Sequence, residues 1–145
     1  KKKVCVFFLK PKQKDDRENL VLFRGSNSFV LMNLYPYNNG HIMVCPYDHI
    51  DTTKSLSNES MTEIMILADK SMDIFRDLMN AQGFNFGANI GVSGGAGIAD
   101  HIHFHVVPRW LGDTNFMPVL GHTKVMVDEL INTYDKLKIE FDKIK

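Results

Sequence analysis

His101, His103 and His105 alternate with Ile102, Phe104 and Val106 in the run His101-Ile102-His103-Phe104-His105-Val106-Val107-Pro108-Arg109-Trp110. Strict alternation of this kind predicts a half-buried β-strand. Side chains at i, i+2 and i+4 of a strand leave the same face, roughly 6–7 Å apart. Three imidazoles would then share one side while Ile102, Phe104 and Val106 anchor the other in a core. Pro108 has no amide donor and is expected to close the strand or to lie at an edge. Imidazole titrates near neutrality, so it can be a nucleophile, a proton shuttle, a metal ligand or a neutral donor. With six histidines in 145 residues, one His-x-His pair would be unremarkable. A third in register, beside a glycine-rich run, favours catalysis over coincidence. A metal held by the three alone is disfavoured, because the outer pair would lie roughly 13 Å apart on one strand.

The glycine-rich run is Gly91-Val92-Ser93-Gly94-Gly95-Ala96-Gly97. Glycine lets backbone amides approach a ligand closely and form anion-binding nests. The run fits neither the Walker pattern nor the dinucleotide fingerprint. Next to the histidines it gains meaning, since imidazoles and amides facing a phosphate form a coherent site. No carboxylate cluster nearby supplies magnesium ligands, so those groups must carry the charge stabilisation.

The elements that position these residues follow from hydrophobic pattern and turn chemistry. Val4 to Leu9 is a short apolar run, followed by polar loop from Pro11 to Asn19. Leu20 to Arg24, Ser28 to Leu34 and His41 to Cys45 read as consecutive strands, separated by Gly25-Ser26-Asn27 and by a turn at Asn39-Gly40. Pro46 ends the third, and the three suggest an antiparallel meander. A helix begins near Ser57 or Ser60, where Ser60-x-x-Glu63 fits a capping box. Met61, Ile64, Met65, Ala68, Met72, Phe75 and Met79 give it one apolar stripe, read as core, and the methionines from Met61 to Met79 could equally serve a subunit interface. Gly83 lies just past its end. Phe84 to Ile90 is a fourth strand, the histidine run a fifth, and Leu111 to Asn115 a polar loop. Val125 to Ile144 is a second helix. The pattern predicts one α+β domain, 1–145, with an antiparallel five-stranded sheet and two helices.

Composition narrows the function classes. Hydrophobic residues make up 44% and charged residues 23%, and the formal net charge is zero. No global field recruits nucleic acid, and no apolar run approaches membrane-spanning length. Cys5 and Cys45 lack framework spacing, which points to a reducing compartment, by default the cytoplasm. The chain starts on Lys1, which leaves room for a trimmed N-terminal piece. His122 is expected in an exposed loop and Cys45 in the core.

The run His101 to Val107 resembles the motif of the histidine-triad (HIT) superfamily, three histidines interleaved with apolar residues. Leu31-Met32-Asn33 and Gly40-His41-Ile42-Met43-Val44-Cys45-Pro46 are similar to the family's nucleotide-binding and fourth-histidine segments, and Asn89-Ile90-Gly91 with Gly94 to Gly97 to its phosphate loop. Pro108-Arg109-Trp110 with Gly112-Asp113-Thr114-Asn115-Phe116-Met117 resembles the branch of bacterial diadenosine tetraphosphate phosphorylases and hydrolases, beside the fragile-histidine-triad enzymes. The resemblance implies a HIT-like fold and cleavage of dinucleoside polyphosphates through a covalent nucleotidyl-histidine at His103. His101 and His41 would fix orientation and charge, and His105 would contact the phosphate and move protons. Asn89 and the Gly95, Ala96 and Gly97 amides would hold phosphate oxygens, and Asn33 the ribose. Phe7, Phe8 and Leu31 are candidates for a base pocket. A nucleotide substrate, a homodimer and no cofactor are implied. A purine nucleoside phosphoramidase of the same superfamily and a non-catalytic nucleotide-binding module are the competing readings.

Two departures stand out. Many relatives carry Ser or Gln where this chain has Gly97, so a side-chain donor to the bridging phosphate is missing. Some relatives hold a structural zinc with an N-terminal Cys-x-x-Cys and histidines, whereas here Phe8 takes the place of the second cysteine. Cys5, His49 and a triad histidine are expected to make a poor tetrahedral set, so no metal is expected.

Overall fold

The computed structural model describes residues 5–113 and 127–145. His122, Thr114 and Asn115, and the expected start of the last helix at Val125, lie outside the described residues. Five strands form one antiparallel sheet in the order β1-β2-β3-β5-β4: β1 Val21–Arg24, β2 Ser28–Met32, β3 Ile42–Pro46, β4 Gly83–Gly87 and β5 Phe104–Arg109. The first three make the expected meander. Helix α1 is a single turn, Val6–Leu9, which the sequence showed only as an apolar run. The long helices are α2, Asn58–Met79, and α3, Val127–Phe141.

Because alternate residues of a strand face opposite sides, β2 and β3 feed two cores. Val30, Met32, Ile42, Val44 and Val106 meet Ile64, Leu67, Ala68 and Phe75 of α2 and Leu130, Tyr134, Leu137 and Phe141 of α3. Leu31, Met43, Phe29, Cys45 and Val21 face the other way, under Phe7 of α1. Fully burying one such leucine or phenylalanine contributes about 1.5–3 kcal/mol, so both faces of the sheet are anchored. Tyr134 pins α3 to β1 by donating to the Val21 carbonyl at 2.9 Å. On the α1 side, Leu31, Met43, His105 and Gly87 are register partners across four strands, and they form the row on which the site is built.

Several local expectations change. Only His105 of the three histidines lies within β5. Upstream, the Ile102 amide donates to Ile50 O at 2.6 Å instead of to a neighbouring strand, so His101 and His103 sit in an extended lead-in held by the β3–α2 connection. Pro108 is inside β5, opposite Phe84 of β4, but β3 pairs with β5 only as far as Val106. The missing amide therefore costs no ladder bond. Ser57 is the N-cap of α2, accepting from the Ser60 amide at 3.1 Å. Glu63 closes no capping box; it accepts from the Ser26 and Asn27 amides and the Ser28 hydroxyl in the β1–β2 turn, at 2.6–2.8 Å. Burial raises the Glu63 pKa, and those bonds outweigh it and hold the carboxyl below its ordinary value. Asn80, in the left-handed region, caps the end of α2, and Gly83 lies just beyond as the first residue of β4. The buried stripe of α2 is Ser60, Ile64, Leu67, Ala68, Ser71 and Phe75. Met61 and Met65, one position round, stay 40% and 56% exposed and are not core.

Gly40 shows why the turn before β3 takes glycine. Its φ is +81°, and an added Cβ would stand 3.2 Å from both Phe75 and Pro108. That close approach sets His41 directly against the sheet.

Candidate active site

A cleft of about 530 Å³ opens on the α1 side of the sheet. Val6, Phe7, Leu31, Met43 and Ile98 give it an apolar chamber, and Asn33, Asn89, Gly95, Gly97, His103 and His105 supply its polar rim. A mostly apolar cavity with a few convergent polar groups is the usual form of a small-molecule site. A larger cavity, about 700 Å³, lies between the β1–β2 turn and the start of α2. The hydrogen bonds of its Glu63 are turned to that turn, and no histidine or cysteine among the described residues lines it.

The four family-matched histidines form two pairs, each with one ring facing the cleft and one behind it. His103 and His105 line the cleft, while His101 and His41 are fully buried. His103 Nδ1 is 2.9 Å from the carbonyl of His101. A carbonyl only accepts, so Nδ1 carries the proton and Nε2 keeps its lone pair. In the second pair the Tyr37 amide donates to His41 Nδ1 at 3.1 Å, which leaves the proton on His41 Nε2. His41 Nε2 is 2.8 Å from His105 Nδ1, so His105 Nδ1 accepts and its Nε2 carries the proton. The cleft thus meets one lone pair, on His103, and one N–H, on His105. The two rings are edge to face with centroids 4.9 Å apart.

Burial sets the protonation states. His41 is pushed down to about 4 by burial and by the neighbouring His105 and His103, and His105 to about 4 by burial and by His103. Burial lowers His103 and His101 too, against the carbonyls that accept from them. All four rings are therefore neutral at pH 7, the state a nitrogen nucleophile requires.

The phosphate side is narrower than the sequence suggests. Asn89, Gly95 and Gly97 line the cleft, but Ala96 does not. The amides of Gly95 and Ala96 donate within their own loop, to Val92 O at 3.0 Å and Gly91 O at 3.2 Å. Asn89 Nδ2 reaches Gly95 O at 3.4 Å. Asn89 and the Gly97 backbone are thus the better-placed contacts for an anion. Asn33 is at the rim, its Oδ1 accepting from the Tyr35 amide at 2.9 Å. Leu31 is in the chamber as expected. Phe8 is not: residues on a helical turn point about 100° apart, so Phe7 enters the chamber and Phe8 faces out, with Lys12 Nζ 3.4 Å over its ring. Met43, Ile98, Val6, Tyr35 and Tyr37 were not legible as site residues. Met43 alone had a signal, two positions after His41 on a predicted strand.

Cys5, His49 and His101 converge behind His103, with their ligand atoms all within 4.8 Å of one another. Cys5 Sγ is 3.6 Å and His49 Nδ1 3.1 Å from His101 Nδ1. The His101 Nε2–H donates to Pro46 O at 2.9 Å, which frees Nδ1 as an acceptor or ligand. Neighbouring S and N ligands on a tetrahedral zinc stand roughly 3.3–3.6 Å apart. The Cys5–His101 and His49–His101 separations are close to these, so the set offers three convergent donors, more than expected, because the turn into α1 brings Cys5 over His101. Phe8 offers no fourth ligand atom.

The fold and the cleft together define a class: an α+β domain that presents an oriented, neutral imidazole, its lone pair free, beside an imidazole pair. The HIT domain model matches residues 14–110, and the chain belongs to that family. Over 129 residues, 89% of the chain, it is 40% identical to the AP-4-A phosphorylase of Mycobacterium tuberculosis, covering 66% of that protein. Over 93 residues, 64% of the chain, it is 30% identical to the bis(5'-adenosyl)-triphosphatase of Dictyostelium discoideum, covering 62% of that one. The chain thus spans just under two thirds of the length of these relatives. In fold it is similar to a Zn-bound histidine triad family protein from Mycobacterium smegmatis, with a TM-score of 0.76 at 21% identity over 97% of this chain and 94% of that one.

Proposed function

We propose that the chain cleaves dinucleoside polyphosphates at the α-phosphorus by transferring a nucleotidyl group through His103. The observation that carries this reading is the His103 ring, fixed at Nδ1 by the His101 carbonyl with Nε2 turned to a cleft that has an apolar chamber. The likenesses to an AP-4-A phosphorylase and a bis(5'-adenosyl)-triphosphatase support the substrate class.

The base enters the chamber of Phe7, Leu31 and Met43, with the ribose toward Asn33. His103 Nε2 attacks the α-phosphorus; a P–N bond forms as the P–O bond to the polyphosphate breaks, and the electron pair leaves on that oxygen. The positive charge on the imidazole ring is held through Nδ1–H by the His101 carbonyl, a group already in place. His105 Nε2–H donates to the phosphate, with His41 behind it. An oxygen of the acceptor then attacks phosphorus, the P–N bond breaks and neutral His103 returns. A zinc ion on Cys5, His49 and His101 would act structurally, tying α1 to the ring behind the nucleophile.

Incubating the protein with diadenosine tetraphosphate, with and without inorganic phosphate, tests the reading. ADP plus ATP formed only with phosphate is the expected result, in line with the phosphorylase relative. AMP plus ATP without phosphate keeps the chemistry and makes water the acceptor. No cleavage in either tube overturns the substrate class and favours a phosphoramidate.

We also propose a homodimer that joins across β4. This strand is one of the two ends of the sheet order, and Phe86 on it and Ile90 just beyond it are exposed. Light scattering should give the dimer mass, and a monomer at working concentrations removes the proposal. Both cysteines are free, which supports the reducing cytoplasm as its compartment.

A further inference from the structure

A dinucleoside polyphosphate carries two bases, and the cleft has one apolar chamber. If the nucleotide that becomes attached to His103 fills it, the nucleoside that departs must lie elsewhere. In-line displacement places the leaving oxygen opposite the attacking nitrogen, so the departing group runs away from His103. The ring contacts leading out from His103 pass to His105 and then to Tyr37, whose ring lies 24° from parallel to His105 at 6.1 Å and 34° from parallel to His41 at 4.7 Å.

Tyr37 and Tyr35 both line the cleft, yet they are 74% and 80% exposed. Their rings are held out by a pinned backbone. The Tyr35 amide donates to Asn33 Oδ1 and the Tyr37 amide to His41 Nδ1, and Pro36 between them fixes its own φ. Asn38 ties the loop onward, donating through Nδ2 to Pro108 O at 3.1 Å and to Asp113 at 2.8 Å. Two exposed, positioned aromatic rings at the mouth of a nucleotide-sized cleft suit a flat, apolar-faced ligand, and every base presents such a face.

We propose that Tyr35 and Tyr37 form the subsite for the departing nucleoside, stacking its base at the cleft mouth so that the loop selects substrates carrying a second base. The inference rests on the dinucleoside polyphosphate reading above and names the residues that would distinguish such a substrate from a mononucleotide conjugate. The loop also bears on chemistry, since Tyr37 supplies the amide that sets the His41 tautomer. Selection for the second base and support of the histidines must therefore be separated.

The test compares diadenosine tetraphosphate with adenosine 5′-tetraphosphate, which has the same phosphate chain and no second base. Wild type, Tyr35→Ala, Tyr37→Ala and Tyr37→Phe are assayed on both, with kcat and KM resolved. Wild type should prefer the two-base substrate. Each alanine variant should lower the ratio of the two kcat/KM values by about tenfold, chiefly through KM, as the loss of one base–aromatic stack predicts. Tyr37→Phe should keep the ratio, because stacking needs the ring and not the hydroxyl. Equal losses on both substrates would overturn the inference and leave Tyr37 as a positioning residue for His41. An unchanged ratio with a shift to monomer in light scattering would assign the tyrosines to a subunit contact and overturn it as well. A wild type active on both without preference overturns this inference alone, and a wild type inert on both overturns the proposed function with it.

Discussion

Replacing His103 with alanine is expected to reduce turnover of diadenosine tetraphosphate by about 10⁴-fold or more, in the range seen when an enzyme loses its nucleophile. The expectation rests on the tautomer. Of the two imidazoles that line the cleft, His103 alone turns a lone pair to it, because its other nitrogen is spent on the His101 carbonyl and His105 accepts from His41. His105 presents an N–H and cannot take over the attack without exchanging protons with the fully buried His41. The variant should fold, since the His103 ring lines the cleft, and its loss widens that cleft rather than opening a closed void in the core. It should also bind AMP, because the chamber residues and Asn33 remain. Calorimetry with AMP and a steady-state assay separate these quantities, and a rapid quench with labelled substrate should trap a nucleotidylated protein only when His103 is present. Turnover within tenfold of wild type would remove His103 as nucleophile, and loss of AMP binding with intact folding would make it a binding group instead.

The histidines were legible because their alternation with apolar residues reads at one position per side chain, and the structure keeps that alternation even where the strand ladder is absent. Ile102 and Val106 are buried against α2 and α3, and Phe104 is partly buried there, as the pattern requires. The strand boundary was not legible. It depends on the carbonyls of Ile50 and Pro46, which take the Ile102 amide and the His101 ring about fifty residues away in sequence. The same limit explains Glu63. Its spacing from Ser60 fits a capping box, but the carboxylate finds three donors in the β1–β2 turn, and no local rule reports a turn folded against it.

Face assignments failed where the period was read too broadly. Met61 and Met65 share helical spacing with Ile64 and Ala68, but a stripe this wide spans more than the sheet can cover, so its margin stays in solvent. Phe7 and Phe8 are adjacent, and only the single helical turn of α1 decides which enters the chamber. The glycine run does make a tight turn, with Gly95 at a φ of +85°. That same tight turn consumes the Gly95 and Ala96 amides it was expected to offer. Tyr35 and Tyr37 carried no periodic signal, because a loop residue owes its place to the hydrogen bonds that pin the loop.

Acidification is expected to unfold the protein earlier than its carboxylates alone would, with most of the loss between pH 6.5 and about 4. His41 and His105 fall to about 4 in the folded state, while the unfolded chain binds protons near the ordinary histidine value of 6.5. A folded pKa below the unfolded one means that the native state favours the neutral ring. The stabilisation is complete above pH 6.5, declines as pH falls and is gone below about 4. A single ring shifted this far contributes on the order of 3 kcal/mol. The two share one hydrogen bond and titrate as a pair, so their contributions do not add. His101 and His103, also lowered, act in the same direction. Glu63 has its folded pKa lowered from 4.5, so its contribution is lost only below that, which leaves the window from 6.5 to 4.5 to the histidines. Urea unfolding at half-unit pH steps should show the free energy falling through that window, and His41→Gln should flatten the slope whatever its effect at pH 7. Nucleotide should oppose the loss, because a phosphate against His105 adds an attractive charge beside the ring and raises its pKa. AMP should then stabilise more strongly at pH 5 than at pH 8, and calorimetry in buffers of different ionisation enthalpy should register proton uptake on binding. A free energy flat to pH 4.5, with no proton uptake, would mean that these rings are hydrated in solution, and the neutral dyad assigned to the cleft would fall with it.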